Sequence, residues 1–151
     1  MSGDTPSSVH VLACGNTDRR DDGAAVWATA GGEHVARTYG QLDIEQLLDV
    51  PAGTPIVVAD TAVGIAPGRV VTLTFDELLA NPRGPAPHSS HALPIDQVIG
   101  VARQLAAGPV DGLFVGIGGS DFGFGPTPSA AVLEALPEFA AAIDAAVRRL
   151  A

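Results

Sequence analysis

The chain has 151 residues, 46% of them hydrophobic and 17% charged, which suits one globular domain and leaves no room for two. Its 17 acidic residues stand against 8 basic ones, with no lysine, for a net charge of −9; that balance argues against nucleic acid or an anionic membrane as partner, since both need basic surface. A single cysteine, Cys14, permits no intrachain disulfide, no apolar run approaches the ~20 residues of a membrane span, and Met1 to Ser8 lack the basic and apolar regions of a signal peptide, so a soluble cytoplasmic protein is expected.

Residues 1–8 read as a disordered tail, and 9–151 as one domain. Val9 to Cys14 is a short apolar run stopped by Gly15-Asn16, a candidate buried strand. A polar stretch, 17–23, leads into a helix from about Asp22 to Ala30, closed by Gly31-Gly32. Val35 to Tyr39 reads as a second strand and Ile44 to Leu48 as a helix, ended by Pro51 and Gly53. Pro55 to Asp60 is the clearest strand, β-branched and apolar throughout, as burial on both faces requires.

Pro67-Gly68 signals a turn, and Arg69 to Phe75 a further strand. A proline-rich loop covers 81–90. Pro94 opens a helix to about Ala107, with Ile95, Val98, Ile99, Ala102 and Leu105 at helical spacing. Leu113 to Ile117 is the last strand, 118–127 a glycine-rich loop, and about Ser129 to Leu150 an alanine-rich helix with a possible break at Pro137.

Strands alternating with helices predict an α/β three-layer sandwich: a five-stranded, mostly parallel mixed sheet with helices on both faces. The short turn between strands 56–60 and 69–75 suggests that these two pair antiparallel.

Ligands of open α/β sheets bind beyond the carboxyl ends of the strands. There the chain delivers Asp18, Asp21 and Asp22, then Asp60, then Ser120 and Asp121, with His88 and His91 before a helix. A carboxylate such as Asp60 at the rim of a buried strand is costly to ionise without a partner; a cap or loop hydrogen bond is the plain alternative to a functional role. For Asp21-Asp22 the plain reading is helix capping, which explains one acid better than two. A cation, or else Arg19 and Arg20, would relieve their repulsion.

Two carboxylates and an imidazole suit a borderline divalent metal. The chain has no H-E-x-x-H, Cys cluster, G-x-G-x-x-G or G-x-S-x-G motif. Cys14, inside an apolar strand, reads as inert core.

In order and spacing, four landmarks resemble the hydrogenase maturation endopeptidase family. They are Val11 to Gly23 with its Gly-Asn turn and acidic pair, Ile56 to Ala62 with its strand-end Asp, His88 to Pro94, and Val115-Gly116-Ile117-Gly118 through Ser129. The resemblance spans about residues 9–150. It implies a phosphorylase/hydrolase-like fold and Asp22, Asp60 and His91 as metal ligands and catalytic residues of an aspartyl endopeptidase-like hydrolase. The implied activity clips the C-terminal extension of a nickel–iron hydrogenase large-subunit precursor after nickel insertion. The implied metal is the substrate's own nickel, with Zn or Cd able to occupy the site in a crystal, and the implied partner is that precursor. The chain departs from the family at Asp18, where an apolar residue is usual, at Tyr39 to Asp43, and at Gly118 to Phe122. Those departures keep a second reading open, an inactive relative acting as a metal-dependent binding module or chaperone for the precursor. A small-molecule enzyme is a third, resting on fold analogy alone.

Overall fold

A computed structural model describes residues 9–30, 36–80 and 94–151. The predicted tail at 1–8, His34, and the loop segment that carries His88 and His91 lie outside the described residues.

Strand β1 (His10–Cys14) leads through a 3-10 turn (Arg20–Gly23) into α1 (Ala24–Thr29). Next come β2 (Ala36–Tyr39), α2 (Ile44–Leu48), β3 (Ile56–Ala62), β4 (Val70–Thr74) and α3 (Phe75–Ala80). Then α4 (Ile95–Leu105), β5 (Gly112–Gly118) and α5 (Ala130–Leu150) complete the chain. The strands form one sheet in the order β2-β1-β3-β5-β4. All neighbours are parallel except β4 and β5.

Three expectations are corrected. β4 pairs antiparallel with β5, not with β3, because β5 takes the place beside β3 along seven residues, from Ile56↔Gly112 to Ala62↔Gly118. The predicted strand 69–75 stops at Thr74 because a helix begins there: the Thr74 N–H donates to Glu77 Oε1 at 2.8 Å, and the Glu77 N–H donates to Thr74 Oγ1 at 2.9 Å. This reciprocal cap makes α3. Pro137 does not break α5, which runs unbroken for 21 residues.

Because successive strand residues face opposite ways, the core divides in two. Val11 and Ala13, Val57 and Ala59, and Leu113, Val115 and Ile117 pack under α1 and α5 with Ala24, Ala25, Val132, Phe139 and Ile143. Leu12 and Cys14, Ile56 and Val58, and Phe114 pack under α2, α3 and α4 with Leu47, Phe75, Leu78, Val98 and Ile99. The expected helices on both faces are thus present. Among the described residues no helix is long and apolar enough to cross a membrane.

Helix α4 is anchored at its far end. Arg103 donates to the Val110 carbonyl at 2.9 Å and pairs with Asp111 at 2.6 Å, just before β5 begins. The amino end of α4 therefore points toward the carboxyl edge of the sheet.

Candidate functional site

At the carboxyl edge, β1 ends on Cys14 and the chain turns sharply at Gly15, whose φ of +136° suits only glycine. A side chain there would meet the Asp22 carbonyl oxygen at 1.8 Å, so the strand end and the acidic segment are packed backbone to backbone. The Asn16 N–H donates to Asp22 Oδ2 at 2.9 Å, and Asn16 Oδ1 accepts from the Asp18 N–H at 2.8 Å. Asp22 is 4% exposed.

The two adjacent acids have separate fates. Asp21 is wholly buried, and its carboxylate turns toward the loop that follows β5. It accepts from the Ser120 N–H (2.8 Å), the Asp121 N–H (3.0 Å), the Ser129 N–H (2.6 Å) and the Ser129 hydroxyl (2.9 Å). Burial alone would raise its pKa; these bonds outweigh it and hold the carboxyl below its ordinary value. Ser129 is also the N-cap residue of α5, so Asp21 neutralises the positive end of that helix. Hydrogen bonds from outside the pair, not a shared cation, settle Asp21.

Asp22 instead acts on Asp60. The Asp60 pKa is raised well above the ordinary carboxylate value, by burial first and then by the charge of Asp22, against a hydrogen bond from the Thr61 N–H at 2.8 Å. The Cys14 thiol is pushed up as well, by burial, then Asp60, then Asp22. Asp60 follows Ile56 and Val58 in the alternation along β3 and so faces the α4 side of the sheet, as Cys14 does. β3 continues to Ala62, so Asp60 lies two residues inside the strand rather than at its tip.

The alternative partners considered for the acids are engaged elsewhere. The Arg19 Nε donates to the Phe122 carbonyl at 3.2 Å, and its guanidinium lies 4.9 Å from the centre of the Phe124 ring. Arg20 Nε lies 3.6 Å from Asp121. Both arginines brace the glycine-rich loop, to which the Arg20 N–H also donates, at Gly125 O (3.0 Å).

The structure therefore brings Asp22 and Asp60 together from segments 38 positions apart in sequence. His91 lies outside the described residues, and among the described residues no cluster of three metal-binding side chains occurs. Two partly or fully buried carboxylates, one pressed toward its protonated form by burial and then by the charge of the other, fit a divalent cation, which would offset both. Sequence reasoning missed Thr61. It is 5% exposed, and its hydroxyl donates to the Asp21 carbonyl at 2.6 Å. A threonine after a strand-end acid carries no signal of its own; only the fold puts residue 21 opposite it. A separate groove of about 390 Å³, lined by Leu47, Val50, Leu105 and Val110 among others, opens at the amino edge, away from these acids.

No protein-family model and no curated protein matches the sequence. Solved structures do. The chain is similar to the hydrogenase maturating endopeptidase HybD from E. coli: 20% identity, 93% of this chain and 92% of that one covered, TM-score 0.72. It is also similar to the [NiFe] hydrogenase maturation protease HybD from Thermococcus kodakarensis, at 21% identity over 95% and 99% of the two chains, TM-score 0.69. For the [NiFe] hydrogenase maturation protease HycI from Thermococcus kodakarensis KOD1 the values are 18%, 96%, 95% and 0.64. The five-stranded mixed sheet with its surrounding helices is the fold of these proteases, in accord with the resemblance read from the sequence.

Proposed function

We propose that this protein is a hydrogenase maturation endopeptidase, which removes the C-terminal extension of a nickel–iron hydrogenase large-subunit precursor after nickel insertion. Asp22, Asp60 and His91 together grip the nickel already seated in the substrate, and the same three residues are the catalytic set. The observation that carries this reading is that Asp22 and Asp60, carboxylates from distant segments, are brought to the same carboxyl edge, near enough for the Asp22 charge to act on Asp60. The likeness of fold to solved hydrogenase maturation proteases over more than nine-tenths of the chain supports it. The amino end of α4, one residue beyond Pro94, points toward the same edge, and the histidine precedes it by a few residues.

In this role the protein's own groups do three things. Asp22 and Asp60 would supply oxygen donors to a divalent ion, whose charge would favour the ionised form of Asp60 against burial and the Asp22 charge. The buried Cys14 keeps the end of β1 beside these donors apolar on the α4 side. The glycine-rich loop, pinned to Asp21, braces the acidic segment beside Asp22. A cation held by these residues would supply Lewis-acid polarisation of a scissile carbonyl. The reading places the protein in the cytoplasm, in keeping with its free Cys14.

The test is co-expression with a nickel-loaded large-subunit precursor, followed by mass spectrometry of the precursor's C-terminus. Cleavage is expected with the wild type and is lost in Asp22→Asn, Asp60→Asn and His91→Ala. Normal processing by all three variants sinks the reading; nickel-dependent binding without cleavage shows a docking module instead.

A further inference from the structure

Thr61 is a buried polar residue whose two donors point to two different acidic segments. β3 presents Asp60 to the α4 side and Thr61 to the α1 and α5 side, where Val57 and Ala59 also lie. The Thr61 backbone N–H donates to Asp60 Oδ1 at 2.8 Å. Its hydroxyl crosses to the Asp21 carbonyl oxygen at 2.6 Å. Asp21 is covalently joined to Asp22. A bridge therefore runs from the Asp60 carboxylate through Thr61 and the Asp21 backbone to Asp22. The methyl group is fixed as well: a Cβ on Gly119 would lie 2.6 Å from Thr61 Cγ2, so the loop after β5 is pressed against it.

The geometry points to Thr61 as a positioning residue that sets the spacing of Asp22 and Asp60, an inference that rests on the proposed metal grip of those two acids. The two carboxylates sit on different segments, so their spacing is set by whatever ties those segments together. The acidic segment is otherwise tied to the β1 end, through Asn16, and to the loop after β5, through Asp21. The Thr61 hydroxyl is a direct side-chain link from that segment to β3, the strand that carries Asp60. A β-branched side chain is stiff about χ1, so the link holds direction as well as distance. The plain alternative is that the hydroxyl only satisfies a buried carbonyl. The two roles predict different kinetics.

Thr61→Val keeps the shape and removes the donor, whereas Thr61→Ser keeps the donor. Each variant is assayed on nickel-loaded precursor and titrated with Cd²⁺ alone by calorimetry, at a temperature where circular dichroism shows it folded. Thr61→Val is expected to lower kcat by about 10-fold to 100-fold with KM within about twofold, as a misplacement near 1 Å can do. Its Cd²⁺ affinity is expected to fall about tenfold, and Thr61→Ser to recover most of both. A folded Thr61→Val with wild-type kcat and Cd²⁺ affinity overturns the inference, as does a Thr61→Ser no better than Thr61→Val. If the wild type binds Cd²⁺ without cleaving, the protease reading fails and the Cd²⁺ affinities decide for Thr61. If the wild type does neither, both ideas fall.

Discussion

Asp22 and Asp60 repel one another across the carboxyl edge of the sheet. Burial and then the Asp22 charge hold the Asp60 proton well above the ordinary carboxylate range. Such an arrangement costs stability in the bare protein. Groups kept under strain of this kind are commonly functional, because binding or catalysis is what their placement serves.

That cost should be visible on removing the charge. Asp60→Asn is expected to raise the melting temperature of the metal-free protein at pH 7 by a few degrees, on the order of 2–4 °C per kcal/mol regained. The sign follows from a raised folded-state pKa. Asp60 is protonated in both states below about pH 4, so it costs nothing there; the cost grows as pH rises toward the folded pKa and is complete above it. Thermal melts of the two proteins should therefore diverge as pH rises. A variant less stable than the wild type at pH 7 would contradict this.

A divalent cation should reverse the effect. Cd²⁺ or Ni²⁺ added at neutral pH is expected to raise the wild-type melting temperature, by about 2.7 kcal/mol of stabilisation at a hundredfold excess over Kd. Asp22→Asn and Asp60→Asn should show little shift, and proton release on binding should be lost with Asp60. Differential scanning fluorimetry with a chelator control measures the first, and calorimetry in buffers of different ionisation enthalpy the second.

Much of this arrangement was legible in the sequence. The β-branched run before Asp60 marked a buried strand, helix α2 falls at 44–48 as read, and the Gly15-Asn16 turn marked the carboxyl end of β1. What failed was long-range or capped. β4 pairs with β5 because β5 occupies the place beside β3, and strand order is a property of the whole sheet that no local turn reveals. Helix α3 was missed although Thr74 and Glu77 stand at capping-box spacing, because its six residues are too few to show periodicity. The pair Asp21-Asp22 looked like one electrostatic problem. It is two, since Asp21 is satisfied by backbone groups about a hundred residues later, which sequence spacing cannot show.

Asp21 should accordingly matter for stability rather than for metal. Asp21→Ala strands the part-buried N–H groups of Ser120, Asp121 and Ser129, and is expected to cost about 3 kcal/mol, given roughly 1.5–3 kcal/mol for a bond to a charged group and partial rescue by water. With a lowered folded-state pKa, the contribution of Asp21 is present above about pH 4 and is lost as pH falls through the folded value. Urea unfolding of the two proteins should thus give midpoints that converge in acid. Equal midpoints at pH 7 would show that the network contributes nothing.

Gly15 ties the fold to the site most directly. A methyl group at this position would lie 1.8 Å from the Asp22 carbonyl oxygen, and the backbone there has a φ of +136°, which an L side chain rarely adopts. The Gly15 N–H is also committed, to the Tyr39 carbonyl at 2.8 Å, so the turn cannot simply rotate away. Gly15→Ala must therefore push the Asp22 segment outward, at a cost of about 2–3 kcal/mol in strain and repacking. Its effect on the site should exceed its effect on stability, because Asp22 moves away from Asp60. The expected signature is loss of the cation-induced thermal shift in a protein that still folds. Gly40→Ala is the control: a Cβ there meets nothing within 4 Å, and both the melt and the cation shift should stay as in the wild type. If Gly15→Ala kept the cation shift, the close packing of the β1 turn against Asp22 would not be what holds that carboxylate in place.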